Sequence, residues 1–414
     1  MAGAIDTILD ANLRAVIPLV TAALVRRYGN LADCEDAVQE ALLEASVNWP
    51  ATGIPRDPRA WLLTVARRRY IDAVRSDAAR QAREEREAAL GAAGTEATAR
   101  DDSLELLVLC CHPVLQPVSR VALTLRAVCG LSTAQIAAAF YCSEATMAQR
   151  ITRAKRAIDA AGRGFGRLSV AELAARSDAV RAALYLLFNE GYAPSGGELP
   201  VHAELIAESI RLTRMLHAAL PADAETTALL ALMLLTDART PARTDPAGLP
   251  VPLPEQDRTL WDPARLAEGR ALAAQALRAG PPTPFAIQAA IAAVHAAAAT
   301  AGETDWPQIL ALYEVLVRLQ PGPAARLGRA VVVGMARGPL AGLAELALLD
   351  GDERLARGHR LLSVRAGLLE RAGALDDAAR AYAEAAAQAP NAAERRWLTA
   401  RAGRMARPDG KEAR

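Results

Sequence analysis

Apolar residues recur every three to four positions along most of the chain, in blocks separated by proline and glycine. That period lines one face of an α-helix. The first block, from about residue 4 to residue 77, reads as several helices. Its one break is expected at Trp49-Pro50-Ala51-Thr52-Gly53-Ile54-Pro55, where proline and glycine oppose helix continuation. Arg80 to Arg100 is rich in Ala, Arg, Glu and Gly without an apolar stripe, and reads as a solvated helix or tether. The helical period returns from Leu104 to Ala160, with Ser132 and Gln135 spaced as a capping box ahead of Ile136 to Phe140. After Gly162-Arg163-Gly164-Phe165-Gly166, a second capping box, Ser169 with Glu172, opens a long alanine- and leucine-rich region. Five prolines between Pro241 and Pro254, and later Gly280-Pro281-Pro282-Thr283-Pro284, interrupt it as loops. The pattern predicts a module at 4–78, a linker at 79–103, a second module at 104–161 and an extension at 167–406.

Within the extension, Tyr313 and Pro321 recur as Tyr382 and Pro390, and turn glycines fall at Gly302, Gly338 and Gly373. The spacing of about 35 residues resembles tetratricopeptide (TPR) units, which are about 34 residues long. In the last unit Gly373 stands at the inter-helix turn, Ala378, Tyr382 and Ala385 form a second-helix packing face, and Pro390 ends it. A generic array of helical hairpins is the plainer alternative.

Composition agrees with an all-α fold: 52% of the 414 residues are hydrophobic but only 4% aromatic, whereas sheets favour β-branched and aromatic residues. Lys+Arg 48 against Asp+Glu 47 leaves a net charge of +1, so any basic footprint for nucleic acid must be local. The five cysteines, Cys34, Cys110, Cys111, Cys129 and Cys142, include no C-x-x-C pair and indicate neither a disulfide framework nor a zinc ribbon. The longest apolar run, Ala228 to Leu235, is far short of a membrane span, and no signal segment opens the chain. A cytoplasmic protein without a membrane contact is expected.

The sharpest local pattern runs from Leu123 to Arg156. A helix over Leu131 to Phe140, a break at Tyr141-Cys142 and a second helix from Ser143 to Arg156 read as helix-turn-helix. Ile136 and Phe140 are expected to meet Met147 and Ile151, Ala137 to sit at the close crossing, and Ser143 to cap the second helix. The exposed side of that helix is expected to carry Thr146, Gln149, Arg150, Arg153, Lys155 and Arg156. With Ser143, these are candidate contacts to base edges and phosphates in a major groove. Upstream, Asp33-Cys34-Glu35-Asp36-Ala37-Val38-Gln39-Glu40-Ala41-Leu42 forms an amphipathic helix with an acidic face. Pro58 to Arg75 then sets an apolar face of Trp61, Leu62, Val65 and Ile71 beside Arg67, Arg68, Arg69 and Arg75, a pattern that suits a helix lying on DNA.

In this order, the acidic E-D-A-V-Q-E helix, the P-R-A-W-L-x-x-V-A-R segment and the helix-turn-helix resemble the extracytoplasmic-function group of RNA polymerase sigma factors. The resemblance covers residues 10 to about 160. It implies that Asp33, Glu35, Asp36, Gln39 and Glu40 dock on the β′ clamp helices of core RNA polymerase, with the β flap as a further partner surface. It also implies that Trp49 to Arg75 melts and reads the minus-ten element of promoter DNA, while Ser143 to Arg156 reads the minus-35 element. Arginines 67, 68, 69 and 75 would neutralise phosphates, and the Trp49 to Pro58 loop would hold a flipped base; Trp61 is expected in the core. Many members carry an arginine where this chain has Ala148, so an unusual minus-35 preference is expected.

The extension resembles that of a subgroup with a long helical, TPR-like C-terminal region. Its landmarks are Phe188-Asn189-Glu190-Gly191-Tyr192, Ala231 to Arg239 and Glu255 to Asp262. Glu190, Asp237, Arg239, Arg243, Asp257 and Arg258 are expected to converge near the proline-rich loop as a buried charge network or as a ligand site. The extension is expected to regulate activity, by packing on the DNA-reading modules or by binding a regulatory protein in a concave groove. Cys110-Cys111-His112-Pro113 lies on an apolar helix and lacks partner ligands for a metal. No cofactor, metal or catalytic motif is expected, so the protein is read as not an enzyme. The rival readings are a helix-turn-helix regulator with a TPR sensor, which would lack the acidic polymerase-facing helix, and a sigma-mimicking scaffold that binds a partner without opening DNA.

Overall fold

A computed structural model describes residues 16–81, 102–140, 142–161, 169–194, 196–356 and 358–406. Among them the regular structure is helical, apart from an isolated antiparallel bridge between Thr244 and Pro250. The fold is all-α. Most of the expected tether, and the glycines at 162–166, lie outside the described residues. Two compact units divide after Leu187, downstream of the boundary that the glycines near 162 suggested, because one unbroken helix, Val170–Tyr192, contributes to both.

In the first unit, α1 (16–28) leads through Gly29, at φ +80°, to α2 (Leu31–Thr52). Asn30 caps α2 by accepting from the Asp33 amide at 3.0 Å. The break expected over Trp49 to Pro55 falls in its second half, at Gly53 with φ +84°, while Trp49 to Thr52 stay in the helix. Pro50 sits near the helix end, where its missing N–H forfeits one bond to the Ser46 carbonyl, so the last turn closes around it. Asp57 then accepts from the Ala60 amide at 3.0 Å and starts α3 (Pro58–Gln81). Trp49 and Trp61 meet edge to face at 5.2 Å, which places Trp61 against the core as expected.

The second module holds α4 (Ser103–Cys110), α5 (Pro117–Ala127), α6 (Thr133–Ala139) and α7 (Glu144–Ala160) around fully buried Leu106, Leu107, Leu123, Ile136 and Met147. Cys110 and Cys111 lie inside this core, and burial pushes the Cys111 thiol up to about 12. They are packing residues. The first unit closes with the first part of α8 (Val170–Tyr192), opened by the expected reciprocal Ser169–Glu172 capping box.

The second unit is built on α10 (Ala224–Asp237), buried on nearly every side, against which pack α9 (Ala203–Ala219), α11 (Pro263–Arg278) and α12 (Pro284–Ala297). A side chain at Gly269 of α11 would come within 2.7 Å of Leu235, so the α10–α11 contact depends on glycine there. Beyond it, α13 (Trp306–Leu319), α14 (Pro323–Arg337), α15 (Pro339–Ala347), the short α16 (Glu353–Ala356), α17 (Arg360–Arg371), α18 (Leu375–Gln388) and α19 (Ala392–Met405) form consecutive packed hairpins. Gly338 at φ +99° and Gly373 at φ +78° make the anticipated turns. Ala378, Tyr382 and Ala385 are buried in the last hairpin. The array does not end free. Asn391 donates to the carbonyls of Gly196 and Leu199 at 3.3 and 2.9 Å, and Arg401 bridges Glu255 at 2.9 Å and Glu370 at 2.7 Å. The last helix is thereby tied to the first loop of its own unit. Among the described residues no helix is long and apolar enough to cross a membrane.

Candidate functional site

Helix α2 buries Leu31, Cys34, Val38, Ala41, Ala45 and Trp49 on one face. Its opposite side exposes Asp33, Asp36 and Glu40, with Gln39 half-buried. Leu43 and Val47, at 67% and 75% exposure, continue the line of Asp36 and Glu40 at i, i+4, i+7 and i+11. The outward stripe is therefore acidic at one end and apolar at the other. Leu43 and Val47 are thus two uncovered large apolar side chains set beside the acids on one helix face. The visible signal for them in the sequence was an apolar residue out of phase with the core.

Glu35 departs from the rest of the acidic set. Its side chain is 2% exposed, on the apolar stripe rather than the outer face. Lys155 of α7, itself 9% exposed, reaches it and also bonds Asp36 at 2.9 Å. Arg126 of α5 brings its Nε to 2.9 Å from the other Glu35 oxygen, without hydrogen-bond alignment. Burial alone would lower the Lys155 ammonium, but Glu35 and Asp36 more than offset it and hold its pKa above the ordinary value. The expected placement of Lys155 on the exposed side of the helix is thus corrected: it is buried with Ile151, Ala154 and Ile158 of α7, a helix that packs on α2, where Glu35 and Asp36 take up its charge.

Further contacts join the same two modules. The Asp159 carboxylate accepts from the Leu31 amide at 3.3 Å, and Arg26 pairs with Asp102. Gly130, at φ +65°, lies so close to Ile17 that a Cβ would fall 2.6 Å from its Cδ1. Together these form a clasp between the first and second modules.

The helix-turn-helix follows its sequence in detail. Ser132 and Gln135 exchange the capping-box bonds at 2.8 and 3.1 Å. Ser143 accepts from the Thr146 amide at 3.2 Å and caps α7. Ile136, Ala137, Met147 and Ile151 are buried, and Phe140 is half-buried. Ser143, Thr146, Ala148, Gln149, Arg153 and Arg156 are exposed, and Arg150 is half-buried. On α3, Arg67 is exposed, whereas Arg68 and Arg69 are held by Glu44 of α2 at 2.9 and 2.7 Å. Those two hydrogen bonds, the Arg69 bond foremost, hold the Glu44 carboxyl below its ordinary range. The Arg75 side chain lies outside the described residues.

Of the charges expected near the proline-rich loop, Asp237 pairs with Arg265 at 2.5 Å and Asp257 caps the turn at Thr259. Arg239 and Arg243 instead lie over the Tyr192 ring.

Comparison with known proteins assigns these parts. The family described as Sigma-70 region 2 matches residues 13–80, Sigma-70, region 4 matches 105–158, and a family of unknown function (DUF6596) matches 176–277. A protein of Rhizobium meliloti (strain 1021), named Uncharacterized protein R00370, is 43% identical over 403 residues, covering 94% of each chain. No solved structure matches the chain. The chain belongs to the sigma-70 family and has a sigma factor's role in transcription initiation, acting with core RNA polymerase on promoter DNA. Within that family it is of the extracytoplasmic-function type, carrying a C-terminal extension.

Proposed function

We propose that the outward stripe of α2, Asp36, Glu40, Leu43 and Val47, is the polymerase-docking surface, and that α7 reads the upstream promoter element while α3 and the turn before it open the downstream one. The observation that carries this reading is the stripe itself. An acidic surface does not compete for DNA phosphates, and the uncovered apolar pair gives a protein partner area to bury. A helix-turn-helix regulator acting alone has no use for such a surface.

The two promoter elements lie about 25 base pairs apart, or roughly 85 Å of duplex at about 3.4 Å per base pair. Modules joined by the Lys155 contact cannot reach both. The clasp is therefore the resting arrangement, and docking on polymerase must separate the modules. The extension, a compact unit of its own, is proposed to regulate activity or to bind a regulatory protein.

Leu43→Asp combined with Val47→Asp tests the docking surface without touching the clasp or the core. Affinity for core polymerase, measured by fluorescence anisotropy, is expected to fall at least tenfold, about 1.4 kcal/mol or more, with the helical circular-dichroism spectrum and melting temperature unchanged. Unaltered affinity would place the docking surface elsewhere.

A further inference from the structure

The proline-rich loop of the second unit brings together a group of cations that the promoter-directed modules do not use. Arg243 stacks on Tyr192 with its guanidinium carbon 3.6 Å from the ring centroid, and Arg239 lies 6.0 Å over the same ring. Both are half-buried, and neither forms a salt bridge or a side-chain hydrogen bond among the described residues. Arg258, beside them, is held differently. It donates to the carbonyls of His295 and Ala298 at 2.8 and 2.6 Å and to the Thr304 hydroxyl at 3.2 Å, with its plane over Trp261.

The carboxylates of this region are largely committed elsewhere. Asp237 is taken by Arg265 and Thr240, Asp257 by the Thr259 amide and hydroxyl, and Asp262 by the amides that start α11; the charge of Glu303 reaches Arg258. Four buried nitrogens here lack any partner: Arg239 Nε, Arg258 Nε, Trp261 Nε1 and His295 Nδ1. Burial, then Arg239 and Arg258, push His295 down to about 4, which leaves it neutral near pH 7. Burying guanidinium groups without an anion is costly, and unpaired polar atoms concentrated in one place mark a site whose occupant supplies the bonds.

We infer that Arg239 and Arg243, held over Tyr192, form a binding site for a phosphate-bearing small molecule in the extension. Two guanidinium forks present more donors than the two oxygens of a carboxylate can accept, while the terminal oxygens of a phosphate accept from both. Stacking on Tyr192 fixes the forks in advance, so little side-chain freedom is lost on binding. Beside Arg239, Arg258 lies over Trp261, and the charges of both arginines reach His295. This assignment is independent of how the first unit meets polymerase and DNA.

Titration calorimetry of the full chain with inorganic phosphate, against chloride at equal ionic strength, tests it. Saturable phosphate binding is expected, with Kd raised at least tenfold in Arg239→Gln and in Arg243→Gln and unchanged in Arg278→Gln, an exposed arginine of α11. Melting gives a second readout. Without phosphate, Arg239→Gln is expected to melt no lower than the parent, since it removes an uncompensated charge beside Arg258; phosphate then raises the melting temperature of the parent but not of the variant. Absence of binding beyond chloride would overturn the inference, as would binding indifferent to both substitutions. So would a lower melting temperature for Arg239→Gln in phosphate-free buffer, which would make the arginine structural. Citrate binding without phosphate binding would remove the phosphate assignment. Arg239-dependent binding of a duplex oligonucleotide, without binding of phosphate itself, would remove the small-molecule one.

Discussion

Lys155→Glu is expected to spring the clasp and to destabilise the first unit by about 3–5 kcal/mol, the usual cost when a buried ion pair loses one partner. The substitution sets a third carboxylate against Glu35 and Asp36, and Glu35 is almost wholly buried. Urea denaturation followed by circular dichroism measures the loss. Small-angle scattering in water should show a larger radius of gyration. Lys155→Met keeps the aliphatic stem and leaves Glu35 to Arg126, so it should cost distinctly less. If the clasp is the resting arrangement, the opened Lys155→Glu protein should bind core polymerase more tightly, because the fraction of competent molecules rises. A protein that stays compact and binds polymerase as before would show that the clasp restrains nothing.

Arg153→Glu with Arg156→Glu is expected to weaken binding to a duplex carrying the upstream element at least a hundredfold, while polymerase affinity stays within a factor of two. Both side chains are exposed in the second half of α7, C-terminal to the capped end near which Thr146 and Gln149 lie. Each lost phosphate contact should also reduce the slope of log K against log salt by about 0.9. A titration across salt concentrations therefore separates lost contacts from a damaged fold. Equal loss of DNA and polymerase binding in this variant would refute the division of labour between α7 and α2.

Local features were legible in the sequence because they are written within a few residues. The capping pairs Ser132–Gln135 and Ser169–Glu172, the Ser143 cap and the glycine turns at 338 and 373 all form as their spacing dictates. Within the stretch Trp49 to Pro55 it is Gly53 and not Pro50 that breaks the helix, since proline near a helix end removes only one bond. What the sequence hid was pairing over long separations. Lys155 reads as another member of a basic face until Glu35 and Asp36, some 120 residues earlier, are brought opposite it. Arg68 and Arg69 read as free for phosphates until Glu44 is seen to hold them. Leu43 and Val47 were present in the acidic helix, yet only the packing of α2 shows them uncovered. The charges near the proline-rich loop were foreseen as a group. Their division into paired aspartates and unpaired arginines depends on where Arg265 falls, on a helix beyond the loop.

As a sigma factor, the chain directs core polymerase to promoters. Single-round transcription in a reconstituted mixture tests it most directly, with core polymerase, the purified chain and a pool of genomic fragments, and with the start sites sequenced. Transcripts should begin at a small set of positions, each preceded by shared minus-ten and minus-35 elements, and they should vanish when the chain carries Leu43→Asp and Val47→Asp. Transcripts from core polymerase that are the same with and without the chain would contradict it.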